Sequence, residues 1–101
     1  MADTLKNLAK GVLGTTEATL YTVPANTKTI VKSIILCNST ASSATVTIKF
    51  AGTPVISGYT VNANETLTIQ ITGVLEAGAT ISGLAGTASA INYYISGIEV
   101  A

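Results

Sequence analysis

Few side chains in this sequence are equipped for catalysis. Its 101 residues include five lysines and five acids, and no histidine, arginine or tryptophan. Without histidine, the Ser-His and Cys-His pairs that activate a nucleophile are absent. The commonest zinc sites go with them. The acids are Asp3, Glu17, Glu65, Glu76 and Glu99. Two carboxylates share catalytic work only when they come within about 5–10 Å. Glu65 and Glu76 could meet at one end of a domain, although nothing in their spacing requires it. Asn62-Ala63-Asn64-Glu65 gathers oxygen ligands, but it lacks the Asp-rich spacing of a calcium loop. Turn chemistry accounts better for its asparagines. The glycines are dispersed, and none of them forms a phosphate-cradling motif. Cys37 is the single cysteine, so no internal disulfide exists. It ends the apolar run Ile34-Ile35-Leu36-Cys37 with only Lys32 as a basic neighbour. It therefore reads as a small buried hydrophobe rather than a reactive thiol. These residues predict no enzyme, no cofactor and no metal.

The tyrosines are the remaining group with binding chemistry. Tyr21 and Tyr59 fall in strand-like segments, and the adjacent Tyr93 and Tyr94 must point to opposite faces. The alternation turns Tyr94 outward. Tyr94 and Tyr59, with Asn62, Asn64 and Asn92, would make a platform for a host-surface glycan. Tryptophan is absent, which weighs against this alternative, and a partly exposed strand tyrosine is the ordinary reading.

Composition narrows the classes further. Charged residues make up 10% of the chain, against a usual ~25%. The net charge is zero. Nucleic-acid binding requires a basic face, which five scattered lysines cannot build. Hydrophobic residues reach 48%, the reverse of a disordered composition. No apolar signal-peptide core follows the N-terminus. The longest uncharged stretch, 77–98, is too rich in Gly, Ser, Thr and Asn to span a membrane as a helix. The sequons at Asn38 and Asn64 read as accidents of a Ser/Thr-rich chain. Mean hydropathy is +0.54, and a small free monomer needs more charge than this to stay dispersed. Sparse charge points to an oligomer or a shell component.

From about residue 17 the hydrophobic period is two, the period of a strand. Ala44–Phe50 and Glu65–Thr72 alternate polar and apolar without error. Val46, Ile48, Phe50, Leu67, Ile69 and Ile71 should face a core, with Thr and Lys toward water. Further strands are expected at Thr19–Val23, Lys28–Asn38, Val55–Val61, Gly78–Leu84 and Ala88–Val100. Turn signals separate them. In the long strand, Ile30, Lys32, Ile34 and Leu36 should share one face, and Val31, Ser33, Ile35 and Cys37 the other. Both faces carry aliphatics, so both should be partly covered. In the last strand Ile98 and Val100 fall out of phase with Ile91, Tyr93 and Ile95. A bulge at Ser96-Gly97 would restore them to one side. The expected fold is a single all-β antiparallel sandwich of seven or eight strands. Immunoglobulin-like and jelly-roll connections stay open.

Residues 1–16 read as an N-terminal arm or edge segment, and 17–101 as the sandwich. Asp3 could cap a short helix that stops at Gly11. Alternatively, residues 8–13 add an edge strand. Leu5, Leu8, Val12 and Leu13 are too apolar for water. They pack on their own domain or on a partner. Together with Ile30, Ile34, Leu36 and Tyr94 they form the candidate interface. Deleting residues 1–14 should then abolish docking and leave the sandwich folded.

The run from Leu20-Tyr21-Thr22-Val23-Pro24-Ala25 through Ile30-Val31-Lys32-Ser33-Ile34 to Cys37-Asn38 resembles an opening found in small β-sandwich virion proteins of tailed bacteriophages. The closing Ile95-Ser96-Gly97-Ile98-Glu99 resembles their last strand. Such proteins serve as capsid decoration or cement proteins, as neck or tail components, or as fibre domains. The resemblance implies a non-enzymatic role in the virion, with the capsid or another virion protein as partner. It also implies a homo-oligomer, with a trimer favoured because cement proteins sit at symmetry axes. The resemblance supplies no catalytic residues. Neither nucleic acid nor membrane is expected as a partner.

Overall fold

A computed structural model describes residues 3–101; residues 1 and 2, the start of the expected arm, lie outside it. Eight strands follow in order: β1 (Asp3–Val12), β2 (Ala18–Thr22), β3 (Lys28–Asn38), β4 (Ala44–Phe50), β5 (Thr53–Val61), β6 (Thr66–Leu75), β7 (Thr80–Ala85) and β8 (Ile91–Val100). They form two four-stranded antiparallel sheets. Sheet 1 has the order β1-β8-β3-β6, and sheet 2 the order β2-β7-β4-β5. The pairs β1·β8, β2·β7, β3·β6 and β4·β5 nest inside one another, as in a long hairpin rolled up sideways. That is a jelly roll. An immunoglobulin-like sandwich would set its first two strands side by side in one sheet. Here β1 and β2 lie in different sheets.

The chain elements follow from local chemistry. β-branched residues fill the strands, where their stiff side chains suit the pleat. The innermost link, Ala51-Gly52, has positive φ at both residues, 51° and 80°. This is the primed turn whose twist matches a two-residue hairpin.

The N-terminal segment is a strand rather than a helix. β1 pairs with β8 from Asp3↔Val100 to Val12↔Asn92, with a register shift between Asn7 and Ala9. The shift falls at Leu8, which is buried in the core. Leu13, just past the strand, is buried too, and its N–H donates to the Ile91 carbonyl at 2.8 Å. Residues 3–13 therefore complete the sandwich. Removing 1–14 would bare the edge of β8 and take two side chains from the core, which argues against an intact truncated sandwich.

β3 corrects a second expectation. Its register shifts between Val31 and Ser33 against both neighbours. The irregularity at Lys32 breaks the alternation. Val31, Ile34 and Leu36 are buried inside, while Ile30, Ser33, Ile35 and Cys37 lie on the outer face and are only half-buried. Ile30 is thus parted from Ile34 and Leu36, and Cys37 is not a core residue. The expected bulge at Ser96-Gly97 is absent for the complementary reason. β8 itself stays regular, and the irregularities sit in its neighbours β1 and β3. Ile98 and Val100 therefore remain on the outer face.

Between the sheets the core is aliphatic, built on Ile34, Leu36, Val46, Ile48, Ile81, Ile91 and Ile95, with Phe50 at its margin. Leu67, Ile69 and Ile71 pack against it, partly buried.

Candidate interaction face

The outer face of sheet 1 gathers part of the expected interface. Cross-strand register sets Leu5 opposite Ile98, Ile98 opposite Ile30, and Ile30 opposite Val74. These four aliphatics form one row across all four strands, about 15 Å wide at the usual strand spacing. Leu5 is 80% exposed and Val74 60%. The next row toward the other end is polar, Asn7, Ser96, Ser33 and Gln70. Beyond it run Lys10, Tyr94, Ile35 and Thr68, with Tyr94 44% exposed. The last row is Val12, Asn92, Cys37 and Thr66.

The expected interface therefore divides. Leu5, Val12, Ile30 and Tyr94 lie on this face. Leu8, Leu13, Ile34 and Leu36 are buried in the chain's own core, so they are not interface residues. The irregularities at Leu8 and Lys32 account for most of the exchange, because each redirects the side chains beside it. Ile98, Ile35 and Val74 belong to the face and were missed. The out-of-phase apolar position of Ile98 was the available signal. Val74 lies beyond the expected end of its strand.

The other candidates stay apart. Tyr94 stands on sheet 1, whereas Tyr59 lies in β5, the edge of sheet 2. Asn62 and Asn64 sit in the β5–β6 turn, where Asn64 takes a φ of 57° and Glu65 accepts the Asn62 N–H at 3.0 Å. The Asn92 amide donates to the Cys37 carbonyl at 3.4 Å and the Ser39 hydroxyl at 3.2 Å. The five-residue glycan platform is not assembled. Glu65 and Glu76 flank the ten-residue β6 at opposite ends, about 35 Å apart at the strand rise. Glu76 instead faces Lys28 at 3.8 Å, in an end cleft of about 480 Å³ that Val100 and Ala101 also line. Among the described residues, no three Cys, Asp or Glu side chains cluster as metal ligands.

One polar cluster is electrostatically distinct. The Tyr21 hydroxyl donates to Glu99 and lies 2.8 Å from the Thr29 hydroxyl. Lys6 reaches the other Glu99 oxygen at 3.3 Å. Burial, reinforced by the carboxylate beside it, pushes the Tyr21 phenol up to about 12. The Tyr21 hydrogen bond holds Glu99 below the ordinary carboxylate range against its own desolvation, with Lys6 assisting. The cluster joins β2 of sheet 2 to three strands of sheet 1, and its role is to clamp the sheets. A second buried polar group, Asn38, bonds the carbonyls of Ser42 and Val61 at 2.8 and 3.0 Å. Its amide nitrogen is therefore closed to glycosylation.

No family model matches the chain, and no curated protein matches it in sequence. Among solved structures it is similar to a CBM35 from Paenibacillus barcinonensis, at 15% identity and a TM-score of 0.43, over 98% of this chain and 88% of that one. The jelly-roll assignment stands on the strand pairing alone and takes nothing from this likeness.

Proposed function

We propose that this chain is a non-enzymatic virion structural protein of a tailed bacteriophage, a decoration or cement protein that docks on the head. The observation that carries the reading is the Leu5–Ile98–Ile30–Val74 row. Contiguous apolar surface rimmed by polar residues marks an interaction site. Its docking would remove apolar area from water at about 25 cal/mol per Å², less the cost of ordering the partners. Each contact is modest, and many copies on a repeating shell add avidity. The sparse charge and the resemblance of the Leu20–Asn38 and Ile95–Glu99 segments support the same reading.

The test is co-sedimentation with heads of the phage that encodes the chain. Wild-type protein should pellet with the heads, and Leu5→Lys with Val74→Lys should weaken binding at least tenfold at an unchanged melting temperature. Binding that ignores both substitutions would remove the face from the reading. Protein that leaves heads untouched and binds cell-wall polysaccharide through Tyr94 would replace the reading with the glycan alternative.

A further inference from the structure

The charges of the chain do not cancel evenly over its surface. Three of the five lysines face acids: Lys6 meets Glu99 at 3.3 Å, Lys28 meets Glu76 at 3.8 Å, and Lys49 meets Glu17 at 2.7 Å. Among the described residues, Lys10 and Lys32 meet no acid. Both are exposed, and both stand on the outer face of sheet 1. Lys10 sits on β1 opposite Tyr94. Lys32 sits on β3, which has β8 on one side and β6 on the other. The register shift there turns Lys32 and Ser33 to the same side. Lys32 therefore rises near the middle of the face, between the aliphatic row and the polar row of Asn7, Ser96, Ser33 and Gln70. The two lysines are two strands apart, about 12 Å at the strand spacing and rise.

Little on the chain opposes them. Of the two acids outside those pairs, Glu65 lies in the β5–β6 turn, where it accepts the Asn62 N–H. Asp3 stands at the far corner of the face, opposite Val100, about 15 Å from Lys32. Charges so far apart are screened, since the Debye length is about 8 Å at physiological salt. On sheet 2, by contrast, Glu17 neutralises Lys49.

We infer that the outer face of sheet 1 docks on an acidic protein surface, one with an aliphatic patch for the Leu5–Ile98–Ile30–Val74 row and carboxylates for Lys32 and Lys10. The inference rests on the docking role proposed above and specifies the chemistry of its partner. Charge complementarity fixes the register of the contact and speeds the encounter. It also selects against a second copy. A two-fold contact through this face brings the patch against itself, so Lys32 near its centre would meet Lys32. A polyphosphate chain fits less well. Such a ligand needs a dense run of cations, with arginine for bidentate contacts, and the chain has no arginine. It would also leave the aliphatic row in water. A lysine stem covers neighbouring apolar surface as well, so charge and packing must be separated. Lys32→Met keeps the stem and removes the charge.

The test is co-sedimentation with heads of the phage that encodes the chain, across a salt series. Wild-type binding should weaken as sodium chloride rises from about 50 to 500 mM, because screening shortens the reach of each pair. Lys32→Met should weaken binding at least tenfold at low salt. Lys10→Met and Lys32→Met together should remove most of the salt dependence. Melting temperatures should stay unchanged, and Lys49→Met should bind as wild type does. A carbodiimide, which condenses an amine and a carboxylate into an amide, should link Lys32 or Lys10 to an Asp or Glu of a head protein, read by mass spectrometry. Heads that bind wild type and both methionine variants equally at every salt concentration would overturn the inference and leave the docking role standing. Failure of the wild type to bind would overturn the docking role, and the inference with it. Competition by polyphosphate at micromolar concentration that depends on both lysines would overturn the inference in favour of a polyanion.

Discussion

At the scale of single residues, the positions that matter most are those where two irregularities converge. Gly97 in β8 is flanked by the shifts at Leu8 and Lys32, and it faces inward. A methyl group there would collide with the Ile30 carbonyl oxygen and come within 2.8 Å of Leu8 Cδ1. Gly97→Ala should destabilise the fold by about 1–3 kcal/mol, the range for overpacking, read as a lower urea midpoint at unchanged slope. Tyr21→Phe tests the clamp. A hydrogen bond to a charged group contributes about 1.5–3 kcal/mol when both partners are well buried, and this cluster is only partly so. A loss near the lower end is expected at neutral pH. The pH dependence has two limits. Glu99 has a lowered folded value, so its contribution is present above the ordinary carboxylate range and fades as pH falls through that lower value. Tyr21 has a raised value, so its contribution holds below about 10 and is lost as pH climbs to about 12. Urea melts of wild type and Tyr21→Phe should therefore differ across the neutral range and converge at both extremes. A constant gap at all pH values would mean the phenol acts by packing alone.

At the scale of elements, β1 shows what a strand adds. It covers the edge of β8, and its end leads Leu13 into the core. A chain lacking residues 1–14 should lose cooperative melting and aggregate, which a thermal scan with light scattering would detect. A sharp transition within a few degrees of the full-length value would show that β1 is dispensable. Strand existence was legible in the sequence because Thr alternates with Ile, Val or Leu wherever one face is wet. The expected bounds of β3 and β4 are those observed. Side-chain direction was less legible. A strict period of two cannot see an irregularity that a neighbouring strand imposes, and one such residue reverses every side chain beyond it. Lys32 did this in β3, moving Ile34 and Leu36 from the expected interface into the core. Tyr21 and Glu99, 78 residues apart, meet only through the rolled topology, so no local pattern announces them.

At the scale of the whole molecule, nearly all pairing is between strands distant in sequence, and only β4 and β5 are joined by a tight hairpin. All-β topologies of this kind fold in milliseconds to seconds, because long loops must close before their contacts form. The nested order implies that β4–β5 closes first and the outer pairs follow. The juxtaposition of Asp3 with Val100 lets this be inverted. A short linker joining the two ends, with the chain reopened at Ala51-Gly52, yields a circular permutant with the same sheets. The former outermost pair, β1 and β8, becomes the local hairpin, and the former innermost pair becomes the slowest closure. The permutant should keep the β-rich spectrum, while substitutions in β8 slow its refolding and substitutions in β4 lose that effect. One rolled ribbon would then assemble from either end.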